Sequence, residues 1–443
     1  MFLRITLLLI ATGLIPLPLL ANCTVVSSQS QLSTAAKNAG YTAKLWTGAC
    51  DECTGKLPLP AIININTGSL FQPAGTLLAS AVGDPVNTPM RDAFTPNQIL
   101  FRCDAGDVDK LYEMYSTNGD WDTAGKYATN EVEGAYYDKA KNVAVRMTNL
   151  STGEYYSRYW KARQLNASDW YSDGDKIYIP ASAFSRVLYE MFKIDGTERF
   201  MNSEAYYPDK NNQPRGYIAF KGPGLASDDL KPGDDHSTKY SGWHFNWPVG
   251  WSSFNTVTYV RGAACEVQDY PAVVSLSVIS VGALADGGSS QAPFSVNLRC
   301  EAGAISSINN STITSANVAM GFLVNQPRAV TMANTLGLTT SSGGLTWLLD
   351  TNYGDDNDSA ASGVGIKIYN SAGAALNLLP DMTSTGTGNA RGWYAYKDLT
   401  TLASSDNGEI YSGDFTASLE AIPGQVITSG TVNAQLQVVV SFQ

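Results

Sequence analysis

The stretch GTVNAQLQVVVSFQ, Gly430 to Gln443, decides the fold. Val432, Ala434, Leu436, Val438, Val440 and Phe442 alternate with Thr431, Asn433, Gln435, Gln437 and Ser441, and Val439 is the only apolar intruder on the second face. Successive side chains of a strand point to opposite faces, so alternation over this length predicts a half-buried β-strand. The plain reading is the closing strand of a β-sandwich. A strand that ends a chain also leaves an edge that something else must meet.

Working outward, the same logic covers most of the chain. Asn142–Met147, Lys176–Pro180, Gly216–Lys221, Val273–Val281 and Phe294–Cys300 are short runs rich in β-branched and aromatic residues, separated by Gly, Asn, Asp and Ser. They predict all-β sandwiches. Two helical patterns, Gln29–Ala39 and Ser182–Phe192, predict short helices on the N-terminal part. Residues 1–21 carry a single Arg4, two apolar runs and a small residue at Ala21, the pattern of a secretory signal peptide. Asn22 before Cys23 argues against a lipid-anchored cysteine. The mature chain is therefore expected in an oxidising compartment where cysteines pair.

Charge divides the chain. From Ala263 onward there are five basic residues (Arg299, Arg328, Lys367, Arg391, Lys397) against fourteen acidic ones. The whole chain has 29 and 40, which leaves 24 and 26 before it. Seven of the nine Trp also precede this point. After the signal peptide at 1–21, the composition break near Arg261–Cys265 predicts one domain at 22–262 and a second at 263–443, with a short joint.

Gly430, fourteenth from the end, and the aromatic Phe442, next to last, resemble the C-terminal motif of chaperone–usher pilus subunits, in which Tyr is usual where Phe442 stands. Cys265 and Cys300 strengthen the resemblance, because pilin domains open with a cysteine bridged to one at the end of the second strand at about this spacing. The resemblance covers 263–443 and implies an incomplete immunoglobulin-like pilin domain lacking its last strand. It implies that a donor strand from the next pilus subunit fills the groove, and that Gly430, Val432, Ala434, Leu436, Val438, Val440, Phe442 and Gln443 form the strand gripped by a periplasmic pilus chaperone. An outer-membrane usher is the third implied partner. Shaft subunits carry a donor segment at their own N-terminus, and here a domain of about 240 residues stands in its place. That resembles the two-domain tip adhesins: an N-terminal β-sandwich adhesin domain, lectin-like by position, followed by the pilin domain.

The other four cysteines, Cys23, Cys50, Cys53 and Cys103, allow three pairings. Asp51 and Glu52 disfavour a redox-active thiolate at Cys50–Cys53. The expectation is Cys23–Cys50 and Cys53–Cys103.

For the binding face, the sequence offers aromatic residues among carboxylates and turn formers. Asp120, Trp121 and Asp122 form one candidate cluster, and Asp169, Trp170, Tyr171 and Asp173 a second. A ring can stack on a sugar while carboxylates accept hydrogen bonds from hydroxyls; Trp and Tyr equally anchor protein interfaces. The bland alternative is a core Trp beside a turn-forming Asp. The third cluster, Trp243 to Trp251, reads as a buried apolar strand. Two histidines exclude a three-imidazole zinc site, and neither a G-x-S-x-G elbow nor a phosphate loop is present. The acidic loop at Asp228, Asp229, Asp234 and Asp235 reads as solvated charge, and Asp350–Asp355 fails the calcium-loop template because Ala361 stands at its twelfth position. No basic stripe suggests nucleic acid, and neither cofactor nor metal is expected. The expectation is a non-enzymatic fimbrial tip adhesin, exported through the periplasm to the cell surface, that binds a host or surface glycan or glycoprotein. The rival readings are a minor pilin that initiates or caps the fibre and a secreted carbohydrate-active enzyme.

Overall fold

A computed structural model of the chain describes residues 22–51, 57–88, 93–120, 123–197, 199–309, 316–355, 359–382 and 388–442. The signal-peptide stretch, Cys53, Trp121, Asp122 and Gln443 lie outside the described residues.

The fold is all-β with a few short helices. Among the described residues between Thr24 and Gly262 the strands form four small sheets. One runs Thr24–Val25, Ile99–Asp104, Lys176–Pro180, Tyr171–Ser172. A second runs Leu77–Gly83, Val187–Lys193, Val143–Asn149, Ala135–Tyr137. A third places Thr258–Gly262 between Tyr206–Pro208 and Ile62–Asn66, and its pairing with Ile62–Asn66 is parallel. The fourth runs Val249–Trp251, Gly216–Lys221, Tyr112–Thr117, Lys161–Gln164. From Cys265 on, one sheet orders Cys265–Asp269, Ser290–Cys300, Glu409–Ala421 and Val364–Asn370. The facing sheet is built on Asn317–Leu323, flanked by Ile305–Ser306, Trp393–Ala395 and Gln437–Phe442.

Burial follows the same division. The largest buried cluster before the joint ends at Tyr259, and the largest after it begins at Ala263. Only Ala263 and Ala264 separate the strand Thr258–Gly262 from Cys265–Asp269. Around them, the Ala264 N–H donates to the Glu301 carboxylate at 2.9 Å and Thr67 N–H to the Gly262 carbonyl at 2.9 Å.

Four local expectations are corrected. Ser182–Phe192 is not a helix: after a single turn at Ala181–Ala183 the chain enters the strand Val187–Lys193. Val187, Tyr189 and Met191 are buried on one face, while Glu190 on the other meets Arg146 across the ladder, with Nε to Oε2 at 2.9 Å. Ladders on both sides override a local preference that Leu188, Glu190 and Met191 leave nearly neutral. Gln29–Ala39 shrinks to a 3-10 turn at Gln29–Gln31 and a helix at Thr34–Asn38. Val273–Val281 forms no strand: residues 270–280 are extended without a ladder, Val274, Leu276 and Ile279 lean on the core, and Val273 and Val278 face solvent. Its β-branched residues favour extension, but no neighbouring strand among the described residues supplies the hydrogen bonds. At the chain end, the ladder covers Gln437–Phe442 only.

The disulfides differ as well. Cys23 pairs with Cys103, not Cys50, because Thr24–Val25 lies antiparallel to Ile99–Asp104 with Thr24 opposite Arg102, which sets the two cysteines side by side with Cα atoms 4.0 Å apart. Cys103 is thereby unavailable to Cys53. Cys50 is also disulfide-bonded. Cys265 and Cys300 face each other in the ladder and are bonded.

Candidate ligand cleft and terminal strand

Strand ends build a cleft of about 400 Å³. The Gly83 end of Leu77–Gly83 supplies Asp84 and Asn87, the Asn149 end of Val143–Asn149 supplies Ser151, and Ser182, Ser185 and Arg186 come from the turn before Val187. Arg163 and Asp169 form another wall. Behind it lies Glu113, fully buried, which accepts hydrogen bonds from Asn149 Nδ2 (2.7 Å), Ser185 N–H (2.7 Å) and Arg163 Nη2 (3.0 Å). Arg163 also donates to Asp169 at 3.1 Å and to the Ala183 carbonyl at 2.6 Å. Burial opposes the charge of Arg163, but the Glu113 and Asp169 carboxylates outweigh it and raise its pKa above the usual arginine value. Sequence reasoning missed Asp84, Arg163, Ser185 and Arg186, because nothing local marks residues that strands of two different sheets bring to one cleft.

The cleft sits far from the joint. Arg261 donates to Asn142 Oδ1 at 2.9 Å, and Asn142 donates to the Ile194 carbonyl at 2.9 Å, so the Lys193 end of Val187–Lys193 is beside the joint. The Val187 end lies about 20 Å along the strand at roughly 3.3 Å per residue.

Asp120 and the second predicted cluster do not meet. Asp120 follows the Thr117 end of Tyr112–Thr117, with its N–H donating to Asn118 Oδ1 at 3.0 Å. Asp169 follows Lys161–Gln164, whose Gln164 pairs with Tyr112 at the opposite end. Asp120 and Asp169 are thus separated by the length of that strand. Of the predicted residues that are described, Asp169 alone lines the cleft. Trp170 is half-buried and packs on the main core. Tyr171 packs against Tyr41 with the rings tilted by 37° and centroids 4.9 Å apart. Asp173 accepts hydrogen bonds from Lys176 N–H (2.9 Å) and the Tyr178 hydroxyl (2.9 Å); burial opposes its ionisation, yet hydrogen bonds led by Ser33 hold its pKa below the usual carboxylate value.

The other motifs hold structure. In the acidic loop, Asp228 pairs with Lys221 (3.0 Å), Asp229 with Lys239 (2.6 Å) and Asp235 with Arg158 (2.8 Å). Asp350 accepts the N–H of Asn352 at 2.7 Å and that of Asn433, which ties it to the terminal stretch. Trp247 and Trp251 are fully buried, but residues 241–246 form turns that expose Phe245.

In that terminal stretch Val432, Ala434, Leu436, Val438, Val440 and Phe442 all pack, half-buried, on the core that begins at Ala263. Val439 is buried on the other face with Ala319, Leu379 and Trp393. A Cβ at Gly430 would collide with the Ser359 carbonyl and Ala361 N, so the close approach there requires glycine. Gln437–Phe442 has one ladder partner, Asn317–Leu323, among the described residues.

A sandwich whose terminal strand is laddered on one side, opened by the Cys265–Cys300 bridge, defines a class. Residues 254–443 match the family model described as Fimbrial protein. Similar solved structures include a chaperone–tip adhesion subunit pre-assembly complex from archaic chaperone–usher Csu pili of Acinetobacter baumannii, at 11% identity over 95% of this chain and 100% of that one, with a TM-score of 0.27. The CupB6 tip adhesin from Pseudomonas aeruginosa matches at 12% identity over 89% of this chain and 95% of that one (TM-score 0.23). The P pilus rod subunit PapA matches at 15% identity over 41% of this chain and 92% of that one (TM-score 0.22). No curated protein sequence matches the chain.

Proposed function

We propose that this fimbrial subunit is a two-domain tip adhesin: residues 22–262 form a receptor-binding domain and 263–443 a pilin domain that accepts a donor strand. The observation that carries the reading is the half-used edge of Gln437–Phe442. Its apolar face and the unladdered segment 270–280 both lie on one core, so an extended segment from another subunit would gain backbone hydrogen bonds and pockets for alternate side chains. Upstream stands a body of sheets with its own buried cluster and a polar cleft, a suitable carrier for receptor contact. The partners proposed are a periplasmic chaperone that pairs with the terminal strand, an outer-membrane usher, the next subunit and a host glycan or glycoprotein. The proposed location is the fibre tip.

Deleting the chain from fimbriated cells tests this. Adhesion should fall while shaft fibres still form. Unchanged adhesion, or loss of all fibres with the isolated chain binding nothing, would favour a minor pilin that initiates assembly.

A further inference from the structure

The cleft at Ser185 holds donors that the fold leaves unused. The Ser185 hydroxyl is buried, Ser185 itself being 2% exposed, and has no hydrogen-bond partner among the described residues. Arg163 Nε, in the same lining, is buried and has no partner among the described residues, while its Nη atoms are locked by Glu113, Asp169 and the Ala183 carbonyl. Arg186, exposed at the mouth, forms no ion pair among the described residues. Buried polar groups in folded proteins are nearly always hydrogen-bonded, so two orphans in one wall mark a place where something else completes the set. Asp84 and Asn87 in the same lining add acceptors for hydroxyl groups. The chain carries a net charge of −11, which discourages anions in general, so an anionic ligand here depends on the local guanidinium.

We propose that this cleft binds an acidic sugar, with the sugar carboxylate on Arg186 and its hydroxyls on Ser185, Asn87 and Asp84. The proposal rests on the adhesin reading and narrows its ligand. A guanidinium presents a planar fork that matches a carboxylate, and the hydroxyl-rich remainder suits the mixed donors and acceptors of a cleft about the size of a small saccharide.

The test uses the full mature chain held by its chaperone or by a donor peptide. It is applied to an array of sialic- and uronic-acid oligosaccharides beside the same glycans with carboxyl groups reduced to alcohols. Binding should fall about tenfold or more on reduction, the loss typical of a charge-assisted hydrogen bond. Arg186→Gln should lose as much with an unchanged melting temperature, and Ser185→Ala should weaken binding about threefold. Binding that survives carboxyl reduction, binding unaffected by Arg186→Gln, or binding to sulfated glycans alone overturns the proposal. If no glycan binds but deletion of the chain still abolishes cell adhesion, the cleft proposal fails and the adhesin reading stands. If deletion leaves adhesion unchanged, both fail.

Discussion

His236 Nδ1 accepts the backbone N–H of Gly119 at 3.0 Å, which ties the turn after Tyr112–Thr117 to the loop that follows Asp235. The ring is 5% exposed, stacks on Tyr217 at 5.2 Å and lies within 5.5 Å of the Trp247 ring. Because Nδ1 is the acceptor, the neutral ring carries its proton on Nε2, which has no partner among the described residues. Burial depresses the pKa from 6.5 to about 4, more than Asp120 and Asp235 can offset.

The sign of the pH dependence follows. The unfolded imidazole takes up a proton below about 6.5 and the folded one only below about 4, so stability falls as pH drops through this interval. At roughly 1.4 kcal/mol per pH unit, the loss approaches about 3 kcal/mol by pH 4. Denaturant titrations from pH 7 to 4 should show it, and His236→Asn, whose amide oxygen retains an acceptor for Gly119, should be less stable at pH 7 but flatter with pH. Parallel pH profiles for both proteins would remove His236 as the cause.

Gly321 stands opposite both Trp393 and Val439 in its two ladders, and Trp393 and Val439 are buried in one small cluster. Trp393→Ala should cost about 3–5 kcal/mol, the usual cost of truncating a buried Trp, and lower the yield of chaperone complex. A melting temperature within a degree or two of the parent's would show that this layer carries little of the fold.

Removing Val438 to Gln443 takes away nearly all of the last ladder and three of the six residues packed on the core. The truncated chain should yield no chaperone complex in pull-downs from the periplasm. Gly430→Val should also reduce recovery, through collision with the Ser359 carbonyl. A full-length chain that purifies as a stable monomer without chaperone or donor peptide would contradict the incomplete-sandwich reading.

Residues 22–262 should fold when produced alone in an oxidising compartment, because no buried cluster among the described residues spans Gly262 and Ala263. Circular dichroism should report β structure with a cooperative melt. A fragment that remains unfolded when cut between Tyr259 and Cys265 would show that the contacts at Thr67, Gly262 and Glu301 are needed for folding.

Trp170→Ala should lower stability by about 2 kcal/mol, roughly half the cost at a fully buried site, since the ring packs half-buried on the main core. Ligand binding per folded molecule should change less than in Arg186→Gln. A large affinity loss with unchanged melting would instead return the binding face to the Asp169–Asp173 cluster.

The β class, the terminal apolar face and the pilin-type motif were legible in residue order because each depends on local alternation or spacing. Val432 through Phe442 pack as their period of two demands, whatever lies around them. Tertiary structure decided what depends on neighbours far away in the chain. Val187–Lys193 is a strand because ladders on both sides hold it, and Val273–Val281 is not one because it lacks them. Cys23 meets Cys103 because Thr24–Val25 lies beside Ile99–Asp104, a pairing that spacing cannot express. The Trp-rich clusters looked like one binding face in sequence, yet Asp120 and Asp169 ended at opposite ends of Tyr112–Thr117, while Asp84, Arg163, Ser185 and Arg186 converged from separate strand ends. Alternation is a property of one strand, but a cleft belongs to the register between strands, and only the folded sheets fix that register.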